Sequence, residues 1–345
     1  GVFRTMSDAR LPAVKFLQPG WYAIVMGLGG LSLAWHRAAA MMGELAGAAA
    51  LVLGIVAALV FAVLLVATAL RGYLHPAAWA EDRRHPVRHT FVATLPISMM
   101  LIATVAVALL GPQRWITPLW AAGCAAQLWV TLWVLGRWWL PPQGGGLQWA
   151  GVTPGLFIPI VGNVLVPLAG VPLGYWEWSL AQYGIGLLFW PVASVLLVVR
   201  LAMQGLWPER LLPSAFILIA PPAVGGIAAL QLGAPPFVGW LLWGMALVSL
   251  LWPALLVRRI AALPFGMPHW GMSFPLTAMA AFTLRMAAPG GPMALLGLAL
   301  LALATLVIAG LVLGTLRGLR NGTLLVPEPV ATMAPAAVAA PTSAT

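Results

Sequence analysis

The sequence predicts an all-α membrane protein whose chain crosses the bilayer ten times. Of its 345 residues, 62% are hydrophobic and only 7% are charged, and the mean hydropathy is +0.99. A soluble domain of this length has no interior large enough for that much apolar surface. The apolar runs last about 20 residues or more, as bilayer-crossing helices require, and they lack the alternating polarity of membrane β-barrel strands.

The net charge of +10 does not indicate a nucleic-acid-binding surface. The 17 basic residues stand in loops beside the apolar runs and do not collect on one polar face. The single Cys124 lies inside an apolar run, so the sequence predicts neither a disulfide framework nor a metal cluster. We therefore expect no nucleic-acid partner, no metal and no cofactor.

Ten apolar segments account for residues 16–317, the predicted transmembrane domain. Their ranges are 16–36, 45–70, 90–111, 115–139, 155–172, 178–203, 211–232, 237–262, 269–287 and 291–316. Residues 1–15 form a preceding N-terminal segment. Residues 318–345, which are rich in Ala, Pro and Thr, have little to bury and are expected to form a disordered tail.

The distribution of Lys and Arg predicts the orientation. Fourteen of the 17 basic residues belong to the loops and termini of one side, and only Arg37, Arg114 and Arg285 fall on the other. By the positive-inside rule the richer side is cytoplasmic, and an even number of crossings then places both termini there. We expect a multi-pass protein of the plasma or inner membrane with cytoplasmic N- and C-termini.

Proline interrupts every odd-numbered segment. The interrupting residues are Pro19, Pro96, Pro159, Pro167, Pro221, Pro222 and Pro275. Even-numbered segments 2, 4 and 10 have no internal proline after their first residues, whereas segments 6 and 8 have one each, Pro191 and Pro253. A proline frees a backbone carbonyl, which a membrane helix tolerates where neighbouring helices, hydroxyls or water can satisfy it.

This alternation predicts five helical hairpins around a central axis. The broken odd helices would lie inside and the smoother even helices would face lipid. Packing alone can account for any single proline, because proline is commoner in membrane helices than in soluble ones. Packing gives no reason for five broken helices in alternate positions.

The ninth segment combines features that a lipid-facing helix does not need. Pro275 interrupts it, and the ring of Phe274 comes directly before that break. Ser273 and Thr277 add hydroxyls, so the segment is expected inside the bundle or beside a water path. An aromatic ring at such a break is most often part of the core, and the residues alone leave open whether Phe274 closes a pore.

Five stretches of the chain form a characteristic set. They are HPVRHTFVATLPIS (85–98), GLFIPIVGNVLVPLAG (155–170), GLLFWPV (186–192), ERLLPSAFILIAPPAVG (209–225) and WGMSFPLTAMA (270–280). Together and in this order they resemble the tellurite-resistance/dicarboxylate transporter (TDT) family. That family includes the bacterial TehA proteins, the fungal malate permeases and the plant slow anion channels (SLAC).

The resemblance, which runs from about Pro19 to Arg317, implies a fold and a site. The fold is five helical hairpins in quasi-fivefold arrangement, with the odd helices lining a central pore, assembled as a homotrimer of separately conducting protomers. A phenylalanine on the ninth helix closes the family's pore near mid-membrane, and Phe274 in SFP matches that position. Phe282 lies two helical turns further along, away from the proline. The implied partners are the lipid bilayer and small inorganic or carboxylate anions.

The residues of the predicted spans also favour anions. All seven acidic residues fall at or outside segment ends, so no acidic ring would attract cations, and broken helices present amide groups that favour anions. The side chains expected along the path are Ser98, Asn163, Ser273, Thr277 and Arg285. Arg285 shares its side with Arg37 and Arg114, which could form a basic vestibule or anchor helix ends at lipid headgroups.

Two transport functions and one enzymatic function compete. The first is a passive anion channel gated by Phe274. The second is a proton-coupled transporter of C4-dicarboxylates such as malate, or an exporter of an oxyanion such as tellurite or sulfite, for which Glu177 in YWEWS is the only acidic candidate. An enzyme is not expected, because the histidines lie at span ends and no pair of acids shares a span.

Overall fold

A computed structural model describes residues 13–328, and every regular element in that range is a helix. The α-helices are α1 (Ala23–Met42), α2 (Glu44–Leu74), α3 (Pro76–Arg84), α4 (Thr94–Leu110), α5 (Ile116–Trp138), α6 (Phe157–Val161), α7 (Val166–Gly170), α8 (Trp176–Gln204), α9 (Ala220–Gln231), α10 (Pro236–Ala254), α11 (Val257–Ala261), α12 (Ser273–Met286) and α13 (Pro292–Asn321). Most of the predicted N-terminal segment lies outside the described residues.

Seven helical stretches of the described chain are long and apolar enough to cross a membrane. They are α2, α5, α8, α10 and α13, together with Arg88–Leu110 and Glu209–Gln231, in which a 3-10 helix runs directly into α4 and α9. The predicted segments 16–36, 155–172 and 269–287 correspond to shorter or less apolar helices. The chain is thus a polytopic helical membrane protein, and the number of ten crossings stays a prediction.

Burial separates the odd segments from the even ones. In the most apolar 18-residue stretch of each helix, 22% of the residues are buried in α8 and 28% in α2. The corresponding share within Glu209–Gln231 is 78%. Helices α6 and α12, on the fifth and ninth segments, are buried over almost their whole length. The long smooth helices therefore carry the exposed apolar surface that a lipid environment requires, and the interrupted segments form the interior.

Each odd segment begins as a 3-10 helix before it becomes α-helical. These 3-10 helices are Pro19–Tyr22, Arg88–Ala93, Pro154–Leu156, Glu209–Ile219 and Met267–Met272. Pro96, Pro159 and Pro275 are each the third residue of the α-helix that follows, Pro221 and Pro222 are the second and third of α9, and Pro167 is the second of α7. Pro19 begins the first 3-10 helix.

All seven predicted prolines thus lie within the first three residues of a helical piece. Because a 3-10 helix leads directly into each of these α-helices, a proline there lacks the N–H that could donate to a carbonyl group of the preceding turn. Each interruption is a junction between 3-10 and α-helix in the interior of the bundle. The prolines therefore start the α-helical part of each odd segment.

Side chains of the even helices bind carbonyl groups near these junctions. On α5, Gln127 Nε2 donates to the carbonyl oxygen of Pro159 at 3.1 Å, and Thr131 Oγ1 donates to the same oxygen at 2.7 Å. On α8, the hydroxyl of Tyr183 donates to the carbonyl oxygen of Gly225 at 2.7 Å. The outer helices thus supply hydrogen-bond donors that water cannot supply inside a bilayer.

The first part of the predicted C-terminal tail is ordered. Helix α13 continues to Asn321, Gly322 adopts a left-handed conformation with φ of 69°, and residues 322–328, here called the C-terminal strap, follow. Leu324 and Leu325 of the strap pack against the hydrophobic core, and the Glu328 side chain is 18% exposed. These contacts hold the strap in place. Residues 329–345 of the predicted tail lie outside the described residues.

Replacing Gln127 with leucine is expected to lower the thermal stability of the protein in detergent. The change removes a buried donor to the carbonyl groups of Ile158 and Pro159, at a cost of about 1–3 kcal/mol. The measurement is the temperature at which the monodisperse peak is lost in size-exclusion chromatography after heating. Gln148→Leu changes an exposed glutamine and is the matched control. The prediction would be contradicted if Gln127→Leu and Gln148→Leu lost the monodisperse peak at the same temperature.

Candidate functional site

Three cavities follow one another through the interior of the bundle. Along the ninth segment, Met267 lines the first, Trp270 the second and Arg285 the third. The other four odd segments, or residues next to them, contribute to the cavities in the same order along the chain. We call these the inner, central and outer cavities, the inner one lying at the end of the bundle that the charge count assigns to the cytoplasm. Their volumes are about 100, 60 and 580 Å³.

The central cavity is the smallest and is apolar. Its lining includes Met26, Ile97, Phe157, Ile217 and Phe274. No acidic or basic side chain is among its lining residues in the described part of the chain. The hydroxyl of Thr94, which also lines it, donates to the carbonyl oxygens of Phe91 and Pro19 at 2.6 and 2.7 Å. The cavity therefore offers an ion little that could replace its hydration shell.

Phe274 lies between the central and outer cavities. Its side chain is 6% exposed and lines both cavities, as Val224 on α9 also does. The ring packs against α1 at Gly30, where an added β-carbon would come within 2.9 Å of Phe274 Cδ2. Glycine at this position leaves the space that the ring occupies. The 3-10 helix before α12 and Pro275 at its third position set the start of the helix that carries the ring.

The structure divides the predicted donor side chains into two groups. Thr277 and Arg285 line the outer cavity, whereas Ser98, Asn163 and Ser273 are fully buried and line none of the three cavities. Ser98 donates to the carbonyl oxygen of Tyr22 at 3.3 Å, Asn163 to that of Ile160 at 3.0 Å, and Ser273 to that of Trp270 at 2.7 Å. These three side chains hydrogen-bond to the protein backbone.

The predicted prolines divide in a similar way. Pro19 lines the inner cavity, and Pro221 and Pro275 line the central one. The other predicted prolines are absent from the described linings of the three cavities. They are Pro96, Pro159, Pro167 and Pro222.

All charged side chains that line the outer cavity within the described chain are basic. Arg37 and Arg285 lie close enough to interact electrostatically, and His36 stands beside them. Arg114, the third basic residue expected on this side, is exposed and does not line the cavity. A concave surface with charges of one sign concentrates ions of the opposite sign. The outer cavity is therefore electropositive.

The inner cavity holds charges of both signs. Arg88 and Arg210 line it together with Glu328 of the C-terminal strap. Arg210 Nη2 lies 2.9 Å from Glu328 Oε1, and Gln18 Nε2 donates to the same oxygen at 3.2 Å. Burial, aided by the charge of Arg88, lowers the pKa of His85 to about 4, so the imidazole is neutral at pH 7.

Sequence reasoning missed Glu328 as part of this site. It stood in a stretch expected to be disordered, and 118 residues separate it from Arg210. An ion pair between such distant positions leaves no local pattern of spacing. Only the turn at Gly322, which brings the chain back to the bundle, places the carboxylate here.

Comparisons with known proteins agree with the resemblance found in the sequence. The sequence model of the SLAC1 family, described as voltage-dependent anion channel, matches residues 17–316, which include most of the cavity linings. The tellurite resistance protein TehA homolog of Haemophilus influenzae is 28% identical over 281 residues, which cover 76% of this chain and 79% of that protein.

Two further relatives are named as an anion channel and as an efflux pump. The S-type anion channel SLAH2 of Arabidopsis thaliana is 29% identical over 214 residues, which cover 59% of this chain and 39% of that protein. A sulfite efflux pump, SSU1 of Trichophyton rubrum, is 24% identical over 333 residues, which cover 79% of this chain and 82% of that protein. The family match spans nearly all of the described chain, and the chain therefore belongs to the SLAC1 family of voltage-dependent anion channels.

Proposed function

We propose that this protein is a passive anion channel whose pathway runs through the inner, central and outer cavities and is closed by Phe274. The observation that carries the proposal is the position of the Phe274 ring, which is nearly inaccessible and borders both the uncharged central cavity and the electropositive outer one. Membership of an anion channel family supports the same function.

Closure follows from the physics of a narrow apolar passage. An ion that enters the central cavity must shed water, and no charged side chain of the described lining compensates it. Phe274 and Val224 line both the central and the outer cavity and so stand where an ion would pass between them. A change of the phenylalanine rotamer away from Gly30 would widen it, because side chains move between staggered wells without a change of fold.

Selectivity for anions follows from the charges at the outer end. Arg37 and Arg285 raise the local concentration of anions at the outer cavity. A diffuse positive potential of this kind favours entry without the tight binding that would slow exit. We propose small inorganic anions as the substrate class, with carboxylates such as malate as the second class.

The lining of the central cavity favours passive flow over coupled transport. A proton-coupled carrier of dicarboxylates or oxyanions usually has an ionisable side chain inside the membrane. Glu177, the acidic candidate from the sequence, is exposed at the start of α8 and lines none of the three cavities. The sulfite efflux pumps among the relatives make sulfite an oxyanion to test as a substrate.

We also propose ten crossings in a quasi-fivefold arrangement, cytoplasmic termini and a homotrimeric assembly. Support for the first is that all five odd segments, or residues next to them, contribute to each cavity in the same order. Support for the orientation is the contact of Arg71 Nε with the carbonyl oxygen of Lys15 at 3.0 Å, since both were assigned to the cytoplasmic end. The trimer rests on the resemblance, and native mass spectrometry would count the subunits.

Phe274→Ala is expected to open the pathway. Removing the ring joins the central and outer cavities, and anion flux should rise at least about tenfold, which corresponds to about 1.4 kcal/mol off the barrier. The measurement is current across planar bilayers, or flux from liposomes, with chloride, nitrate, sulfite and malate in turn. Reversal potentials that do not depend on pH would identify passive flow.

Phe282→Ala is the matched control for this experiment. Phe282 lies on the same helix and is also buried, but it packs against Gly226 and lines none of the three cavities. The control should leave flux at the wild-type level. Malate uptake that requires a proton gradient, with no current gained by Phe274→Ala, would instead show a coupled carrier and a structural role for Phe274.

Neutralising the outer arginines is expected to reduce flux through the opened channel. In the Phe274→Ala background, Arg37→Gln combined with Arg285→Gln should lower nitrate flux about tenfold in about 10 mM salt, where the Debye length is about 30 Å. In about 1 M salt the difference should vanish, because screening then acts within about 3 Å. Arg114→Gln, an exposed basic residue of the same predicted side, is the control. An equal loss of nitrate flux with Arg114→Gln would contradict a specific role of Arg37 and Arg285 in concentrating anions at the outer cavity.

A further inference from the structure

Glu328 stands between two cavities at the inner end of the proposed pathway. Next to the inner cavity lies another cavity of about 440 Å³, here called the entry cavity, whose lining includes Phe16, Phe265 and Leu324. Gln18, Arg210 and Glu328 line both cavities. The carboxylate therefore lies where an anion would pass from the entry cavity into the inner cavity.

Backbone hydrogen bonds and a packing contact of the strap position this carboxylate. Gly322 turns the chain with a positive φ, and the backbone N–H groups of Thr323 and Leu324 donate to the carbonyl oxygen of Gly318. Leu324 packs closely over Gly318, where a β-carbon would come within 2.6 Å of its side chain. These contacts return the chain toward the bundle and bring Glu328 to the inner cavity.

The groups around Glu328 form a site for an anion. Arg210 Nη2 and Gln18 Nε2 lie 2.9 and 3.2 Å from Oε1, and His85 Nε2 lies 3.9 Å from Oε2. Burial alone would raise the pKa of the Glu328 carboxyl, but the charges of Arg210 and Arg88 hold it below its usual value. The carboxylate is therefore charged at neutral pH.

The two arginines of the inner cavity differ in how their charges are balanced. Arg88 forms ion pairs with Glu81 and Asp82 at 3.1 Å, and its buried Nε atom has no hydrogen-bond partner in the described chain. Glu328 is the only acidic residue paired with Arg210 in the described chain. Without Glu328, Arg210 would have no ion-pair partner in the described chain, since the neighbouring Glu209 is paired with Arg259.

We propose that the inner cavity is a binding site for a small carboxylate or oxyanion, and that Glu328 of the strap occupies it as an internal ligand which an incoming anion must displace. The inference rests on the proposed function, because the displaced site leads into the same pathway. A tethered carboxylate competes at an effective concentration on the order of millimolar or more, so it keeps weak external ligands out. The strap would thus limit entry from the inner end independently of Phe274.

Binding of acetate to the purified full chain in a nonionic detergent tests the proposal. Acetate carries the carboxylate and the adjoining carbon of the Glu328 side chain, and isothermal titration calorimetry measures its affinity without a need to assign a signal to one of the 18 tryptophans. Glu328→Gln should bind acetate at least about tenfold more tightly than the wild type, because the internal competitor is lost. Glu177→Gln removes the same charge at an exposed site and should bind like the wild type.

A second substitution identifies the partner of the probe. Arg210→Gln added to Glu328→Gln should abolish the gained binding, because the guanidinium group would then be absent. Equal acetate affinity of wild type and Glu328→Gln, or persistence of the gain without Arg210, would overturn the proposal. Glu328→Ala with the same readouts replaces Glu328→Gln if the latter does not elute as a monodisperse protein.

Anion flux through Phe274→Ala, measured on the same preparations, separates this inference from the proposed function. Tighter acetate binding by Glu328→Gln beside a silent Phe274→Ala would support the inner site and reject the Phe274 gate. Anion flux through Phe274→Ala, together with equal acetate binding by Glu328→Gln and the wild type, would support the channel and reject Glu328 as an internal ligand.

Discussion

The absence of water inside the bilayer is the constraint on which the rest of this structure depends. Backbone N–H and C=O groups there need partners within the protein, so an interrupted helix is stable only where side chains reach its carbonyls. Gln127 and Thr131 on α5 and Tyr183 on α8 provide such contacts. The outer helices thereby allow the interior of the bundle to be made of short 3-10 and α-helical pieces, which line the three cavities.

Charge and apolar surface are separated along this interior. Basic side chains lie at both ends, at Arg37 and Arg285 on one and at Arg88 and Arg210 on the other, while the described lining of the central cavity has no charge. In the proposed channel, attraction of an anion and closure of its path belong to different regions. The Phe274 ring can pack against the facing helix because Gly30 has no side chain. A larger residue at Gly30 and the ring could not both occupy this space.

The two ends of the interior differ in how their charges are balanced. At the outer end, no acidic residue is present among the described lining residues of the cavity. At the inner end, Arg88 is paired with Glu81 and Asp82, and Glu328 compensates Arg210. In our proposals an apolar ring and a tethered carboxylate obstruct ions by different means. The ring withholds compensation from an ion that has lost its water, and the carboxylate competes for the cation that an entering anion would use.

The sequence by itself determined the membrane class, the alternation of broken and smooth segments and the family, because hydrophobic runs, prolines and motifs are local properties of the chain. It also singled out Phe274 through its neighbours in SFP. Only the tertiary structure decided which polar side chains reach a cavity: Thr277 lines the outer cavity, and Ser98 and Asn163 line none of the three. That outcome depends on the rotation of each helix about its axis, and the contact of Glu328 with Arg210 depends on a return of the chain across 118 residues. Neither leaves a pattern in the local sequence.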